Sequence, residues 1–314
     1  MAIRSLLSRT RGRLGRLKRR VLNQPVDAVA VAAANFWDQQ SVKQSMYWAE
    51  YPLVRQYVNH CVTGVEWLWP LSAFKVGWAY EAFERGLSIG CGTGALERAV
   101  MHLNICHSIE GLDVSKSSIR QARNEARRER MRAIRYRVRD CDALTLAPSR
   151  YDVVFFHGSL HHVSDPDRLL DEVVRALKPH GMLYVDEYVG PSRDEWSDEH
   201  LAHARSAFES IPEELKLWPV NPPLDWSDPS EMIRSSRIRP AVESRFEIVH
   251  YKPYWGNLLF PLLSALDGHL MTEPARAGLV ESLIQREKEL VESGEFVDPL
   301  FAVIVARKRS GSNP

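Results

Sequence analysis

Three glycines alternate in LSIGCGTGALE, Leu87 to Glu97, behind an apolar run and ahead of a helical pattern. Glycine at such positions lets backbone amides approach a ligand closely, and the helix behind the loop presents the positive end of its dipole. Read as Gly90, Gly92 and Ala95, the loop fits the dinucleotide fingerprint G-x-G-x-x-G/A. Read as Gly90, Gly92 and Gly94, it fits the G-x-G-x-G of a different nucleoside cofactor. Both readings need an acid at the end of the next strand to receive ribose hydroxyls, and Asp113 in EGLDVS stands twenty-three positions after Gly90. A capping role for the helix that starts near Ser115 is the other use of Asp113.

These residues need elements to hold them. From Gly86 the pattern alternates: GLSIG, CHSIEGLDV, IRYRVRD, YDVVFFHG and MLYVDEYVG read as strands, with ALERAVMHL, SSIRQARNEARRERM and DPDRLLDEVVRALKPHG as helices between them. The last of these helices opens at Asp165-Pro166 and closes at Pro179 and Gly181. RFEIVHY and PLFAVIVARK add two strands, so the sequence predicts an α/β fold with a doubly wound, mostly parallel seven-stranded sheet covered on both faces. Beyond Gly190 helical stretches intrude: DEWSDEHLAHARSAFESI, then DPSEMIRSSRIRPAVES with Ser227 or Asp228 as cap, then about forty residues of helical pattern before the last strand. The chain divides into a basic segment 1–25, a helical N-terminal cap 26–85, and a domain 86–314 with lid insertions at about 190–227 and 255–296.

Composition bounds the rest. At 314 residues, 45% hydrophobic and 26% charged, the chain is an ordinary globular protein with room for a sizeable core. Residues 1–24 hold eight Arg and Lys and no acid; without them 33 basic face 40 acidic side chains, a body that does not attract polyanions in general. That basic segment reads as a solvated tail, as an amphipathic helix for a membrane surface or partner, or as an Arg-rich transit peptide. Five of the nine tryptophans fall between residues 26 and 83, where core packing is the expected role. The four cysteines form no C-x-x-C pair, so no structural zinc or disulfide framework is assigned, and reduced thiols in the cytoplasm are expected.

The ordered set LSIGCGTG, GLDVS, RDCDAL, YDVVFFHGSLHHV and LLDEVVRALKPHGMLYVDE resembles the class I S-adenosylmethionine-dependent methyltransferases, from about Leu87 to Arg307. The resemblance implies a Rossmann-like fold and S-adenosyl-L-methionine as cofactor. It implies that Gly90, Cys91, Gly92 and Gly94 hold the methionine part, that Asp113 binds the ribose, and that Val114 lies beside the adenine. Asp140, or its neighbour Asp142, would contact the adenine amino group, Cys141 would face the ring, and the backbone near His157 would meet the methionine amino group. One position departs: many family members have Asp or Glu where this chain has Ser88, and that acid helps anchor the cofactor's ammonium.

Methyl transfer is an in-line displacement that depends on alignment and on excluding water. A hydroxyl acceptor also benefits from a base. The segments after the fourth and fifth strands offer His157, His161, His162, Asp186, Glu187 and Tyr188. His161 is the first choice for base and His162 the second, with Glu187 as a further catalytic candidate; structural roles for these histidines are the competing use. Asp186 and Glu187 are also weak candidates for a divalent cation, and no metal is assigned. The insertions predict a roofed pocket for a small-molecule acceptor such as a sugar, glycan, lipid or secondary metabolite. The alternatives are a nucleic-acid methyltransferase, for which HGSL after the fourth strand lacks the expected N/D-P-P-Y/F/W, and a non-catalytic cofactor-binding module.

Overall fold

The computed structural model describes residues 47–309 and, ahead of them, Phe36. The basic segment and most of residues 26–46, with Trp37, lie outside the described residues. No described helix is long and apolar enough to cross a membrane.

Strands β1 (Phe83–Ile89), β2 (Cys106–Asp113), β3 (Ile134–Val138), β4 (Tyr151–His157), β5 (Leu177–Tyr188), β6 (Phe246–Trp255) and β7 (Phe301–Lys308) form one sheet in the order β3-β2-β1-β4-β5-β7-β6. The first five are parallel, and β7 runs antiparallel to β5 and β6. In β4, Val153 and Phe155 face one side and Val154 and Phe156 the other, all four fully buried. An uninterrupted apolar strand is what a sheet covered on both faces requires. One face carries α1 (Pro52–Thr63), α2 (Pro70–Trp78), α3 (Ala95–His102) and α4 (Lys116–Arg128). The other carries α5 (Pro166–Ala176) and α7 (Ile238–Arg245), tied together where Arg245 meets Asp167 at 2.7 Å and Asp171 at 2.6 Å.

The chain winds outward from β1 to β3 and then returns to β4, so the order reverses between β1 and β4. At such a switch point the loops leaving the two strands diverge and open a crevice at the carboxyl edge. The glycine loop leaves β1 there, and Gly158 to Val163 leave β4 there.

The insertions pack with the N-terminal cap. Helices α6 (Asp198–Glu209), α8 (Leu259–Leu263), α9 (Gly268–Met271) and α10 (Ala277–Glu292) share one apolar cluster with Trp48, Tyr51 and α1. Trp48 stacks on Tyr254 at 6.3 Å and meets Phe301 at 5.0 Å, while Phe74 of α2 meets Tyr184 of the sheet at 5.1 Å. Core packing therefore accounts for Trp48, whereas Trp67 and Trp69 are exposed.

Three predicted elements differ. The helix expected to close at Pro179 ends at Ala176, and Leu177 already pairs with Tyr151 as strand; Pro179 has no N–H for a further helical turn and pushes Lys178 before it toward extended backbone. The stretch from Asp228 does not begin a helix. The Asp228 carboxylate accepts from the Ser230 N–H and hydroxyl at 2.8 and 2.7 Å, a local turn that competes with helix, and α7 starts only at Ile238. The helical pattern of 256–296 is broken by Asp267, which accepts from the His269 and Leu270 N–H groups and restarts the chain as α9.

Candidate active site

The glycine loop is fixed by the strands around it. Gly90 and Cys91 donate to the Leu112 carbonyl at 2.8 and 2.9 Å, and Gly92 donates to Asp113 Oδ2 at 2.8 Å. A Cβ on Gly90, whose φ is +73°, would lie 2.4 Å from Ser159 Cβ, so only glycine lets this loop meet the β4 loop. Gly92, at φ +50°, has none of the described residues within 4 Å of where its Cβ would lie and lines the open space. The Gly94 carbonyl receives the Tyr136 hydroxyl at 3.1 Å as α3 begins.

That space is a cavity of about 280 Å³ lined by Gly90, Cys91, Gly92, Asp113, Val114, Ser118, Asp140, Cys141, Asp142, His157, Gly158, Ser159, His162, Val163 and Ser230. Asp113 Oδ1 also accepts from the Ser115 N–H at 2.8 Å, but the cap of α4 is Ser115, which accepts from the Ser118 N–H. Asp140 accepts from the Asp142 N–H, and Asp142 accepts from the Ser164 N–H, both at 2.9 Å. Burial raises the Cys91 and Cys141 thiols far above the usual range, so both stay neutral walls. An open glycine cradle, a strand-end carboxylate and apolar sulfur walls fit a nucleoside cofactor.

Three histidines stand at the carboxyl edge, each beside an acid. His157 Nε2 lies 3.7 Å from Asp186 Oδ2, and Asp186 also accepts from the Tyr254 hydroxyl at 2.8 Å. His161 bonds through Nδ1 to Glu187 Oε1. Glu187 Oε2 accepts from the Ser159 and Leu160 N–H groups, each at 2.7 Å, so this fully buried acid fixes both the turn Leu160–His162 and the ring it carries. Burial alone would lower the His161 pKa; the Glu187 charge and hydrogen bond outweigh it and raise it to about 9. Burial would raise Glu187, but His161 and the two backbone N–H groups hold it below its usual range. His162 Nδ1 lies 3.2 Å from the Ser230 hydroxyl and 3.5 Å from Asp228.

Of the predicted catalytic residues, His162 lines the cavity, while His161, its neighbour on the same turn, and Glu187 of β5 do not. Ser88 is buried within β1 and does not line it. His161, His162 and Glu231 bring ligand atoms within 4.8 Å of one another among the described residues. Glu187 and Ser230 engage the two Nδ1 atoms, and we assign no metal to the group. Ser159, Ser230 and Glu231 were not singled out from the sequence, and Asp228 only as a helix cap. The Asp228-Pro229 pair was the available signal, since Asp-Pro favours a turn.

A family model described as a methyltransferase domain matches residues 87–185. The ubiquinone biosynthesis O-methyltransferase of Coxiella burnetii is 33% identical over 98 residues, a match covering 31% of this chain and 41% of that protein. Phosphoethanolamine N-methyltransferase 2 of Caenorhabditis elegans is 26% identical over 155 residues, covering 46% of this chain and 35% of that protein. Among solved structures, geranyl diphosphate C-methyltransferase from Streptomyces coelicolor A3(2) superposes with a TM-score of 0.55 at 13% identity, covering 91% of this chain and all of that one. Phosphoethanolamine N-methyltransferase 2 of Haemonchus contortus gives 0.53 at 16% identity, covering 91% and 61%. These likenesses establish the fold. Residues 87–185 match a methyltransferase domain, and methyltransferases of this fold use S-adenosylmethionine as methyl donor; the chain spans less than half the length of the curated relatives it matches.

Proposed function

We propose that this protein transfers the methyl group of S-adenosylmethionine to a hydroxyl of a small molecule, and that the hydroxyl is phenolic. The observation that carries this reading is the pairing of His161, on the turn that leaves β4 beside the cavity, with Glu187 of β5. In neutral form His161 would take the hydroxyl proton through Nε2 while Glu187 holds Nδ1, as a base oriented by a buried acid does. A base near pKa 9 suits an acceptor of similar acidity, and phenols ionise near 10. The ubiquinone O-methyltransferase relatives support oxygen as the acceptor atom.

In this reading Gly90, Cys91, Gly92 and Gly94 cradle the cofactor's methionine arm, with the His157 backbone at its amino end. Asp113 takes the ribose, Val114 and Cys141 flank the adenine, and Asp140 or Asp142 meets its amino group. Bound there, the cofactor supplies an electrophilic methyl. The chain contributes alignment, exclusion of water and removal of one proton.

The test is incubation of the protein with S-adenosylmethionine and a panel of catechols, simple phenols, sugars, phosphoethanolamine and RNA, read by mass spectrometry. O-methylated phenols are the expected products. Methylation of phosphoethanolamine, sugar or RNA in their place would overturn the acceptor class, and cofactor binding with no product from any of them would favour a binding module.

A further inference from the structure

Glu97 is a buried charge with no use in the site described so far. It is the third residue of α3, its side chain is fully buried, and among the described residues neither carboxylate oxygen has a partner within hydrogen-bond distance. Its polar surroundings are the Ser88 hydroxyl from β1 and, through their fields, Cys91 and His157, both of which line the cavity. The adjacent Arg98 turns away, toward Glu129 at 2.9 Å and the Thr93 and Gly94 carbonyls. A carboxylate removed from water without a paired cation is strongly disfavoured, and its burial here raises the Glu97 pKa to about 7. A cation delivered beside it would reverse that cost.

The sheet order says which end of the ligand comes near. Asp113, Asp140 and Cys141 stand at the ends of β2 and β3, where the nucleoside is placed. The cofactor's remaining arm then runs across the glycine loop toward β1 and β4, the strands that carry Ser88 and His157, both of which interact with Glu97. That arm carries a carboxylate and an ammonium, of which only the ammonium complements a buried acid.

We propose that Glu97, reaching from α3 to the side of Ser88, supplies the negative charge that holds the ammonium of the cofactor's methionine arm. The acid that is missing from strand position 88 is thus provided by the helix. The proposal rests on S-adenosylmethionine occupying the cavity.

Titration calorimetry with S-adenosylhomocysteine and its desamino analogue separates the two claims. The wild-type protein should prefer the amino compound by roughly 10- to 100-fold, the range of a charge-assisted contact. Glu97→Gln should erase that preference by weakening S-adenosylhomocysteine alone, and Ser88→Asp combined with Glu97→Gln should restore it. Equal wild-type binding of the two compounds would overturn the proposal, as would a Glu97→Gln variant that keeps the preference. Wild-type protein that binds neither compound would overturn the cofactor's placement and this proposal with it.

Discussion

His161 carries a proton at neutral pH because the buried Glu187 carboxylate stabilises the imidazolium more than burial disfavours it. As a base it acts only after losing that proton, so turnover should rise as pH rises through about 9. Glu187→Gln removes the charge and should move the rise down toward the ordinary histidine range, near 6.5. A pH profile of kcat in the two proteins checks this, and an unmoved profile would exclude His161 as the titrating base. The same raised pKa makes the His161 contribution to stability complete below about 6.5, the unfolded value, and lost as pH climbs through about 9. His161→Ala should leave cofactor affinity within about twofold and slow turnover by roughly 10²- to 10⁴-fold. Unchanged turnover in that variant would leave Glu187 a purely structural anchor for the turn.

At the scale of elements, the site depends on two loops pressed together at the β1–β4 switch point. Ser159 joins them: its hydroxyl donates to the Ile89 carbonyl at 2.7 Å and its N–H to Glu187. Gly90→Ala would bring a methyl to 2.4 Å from Ser159 Cβ at a φ of +73°. Strain of that kind costs about 1–3 kcal/mol. Urea denaturation should show the loss, and calorimetry should show weakened S-adenosylhomocysteine binding. Gly92→Arg differs, because its side chain meets open space; it should fill the cavity and abolish binding, while stability falls only by the cost of the left-handed backbone, about 1–2 kcal/mol. Secondary structure near this loop was legible because the strands around it are short runs rich in apolar residues and α4 and α5 open at their own caps, Ser115 and Asp165. Legibility failed at Asp228, where an aspartate suited to a helix cap instead closes a turn with Ser230.

Across the whole molecule, the N-terminal cap and both insertions form one apolar body with the sheet. Phe155 sits at the junction, fully buried in β4, with the rings of Phe74 from α2 at 6.0 Å and Tyr184 from β5 at 5.9 Å. Phe155→Ala should cost about 3–5 kcal/mol, as large-to-small changes in close-packed cores do. Because α2 rests on that ring, the loss should appear as increased hydrogen exchange in α2 as well as in β4. Exchange confined to β4 would show that the cap is held mainly through Trp48, Tyr254 and Phe301 instead.

The sequence by itself determined the α/β alternation, the glycine loop, the acid that ends β2 and the acids that follow β3. These are local signals, since strand period, turn chemistry and helix starts act over a few residues. Only the tertiary structure decided which groups share a site. His161 and Glu187 lie 26 residues apart and meet because β4 and β5 pair with His157 opposite Asp186. Glu97 looked like an ordinary helix residue until α3 packed against β1 and buried its carboxylate beside Ser88. Burial and pairing of charges depend on which elements become neighbours, and that is fixed by sheet order and packing rather than by any short stretch of chain.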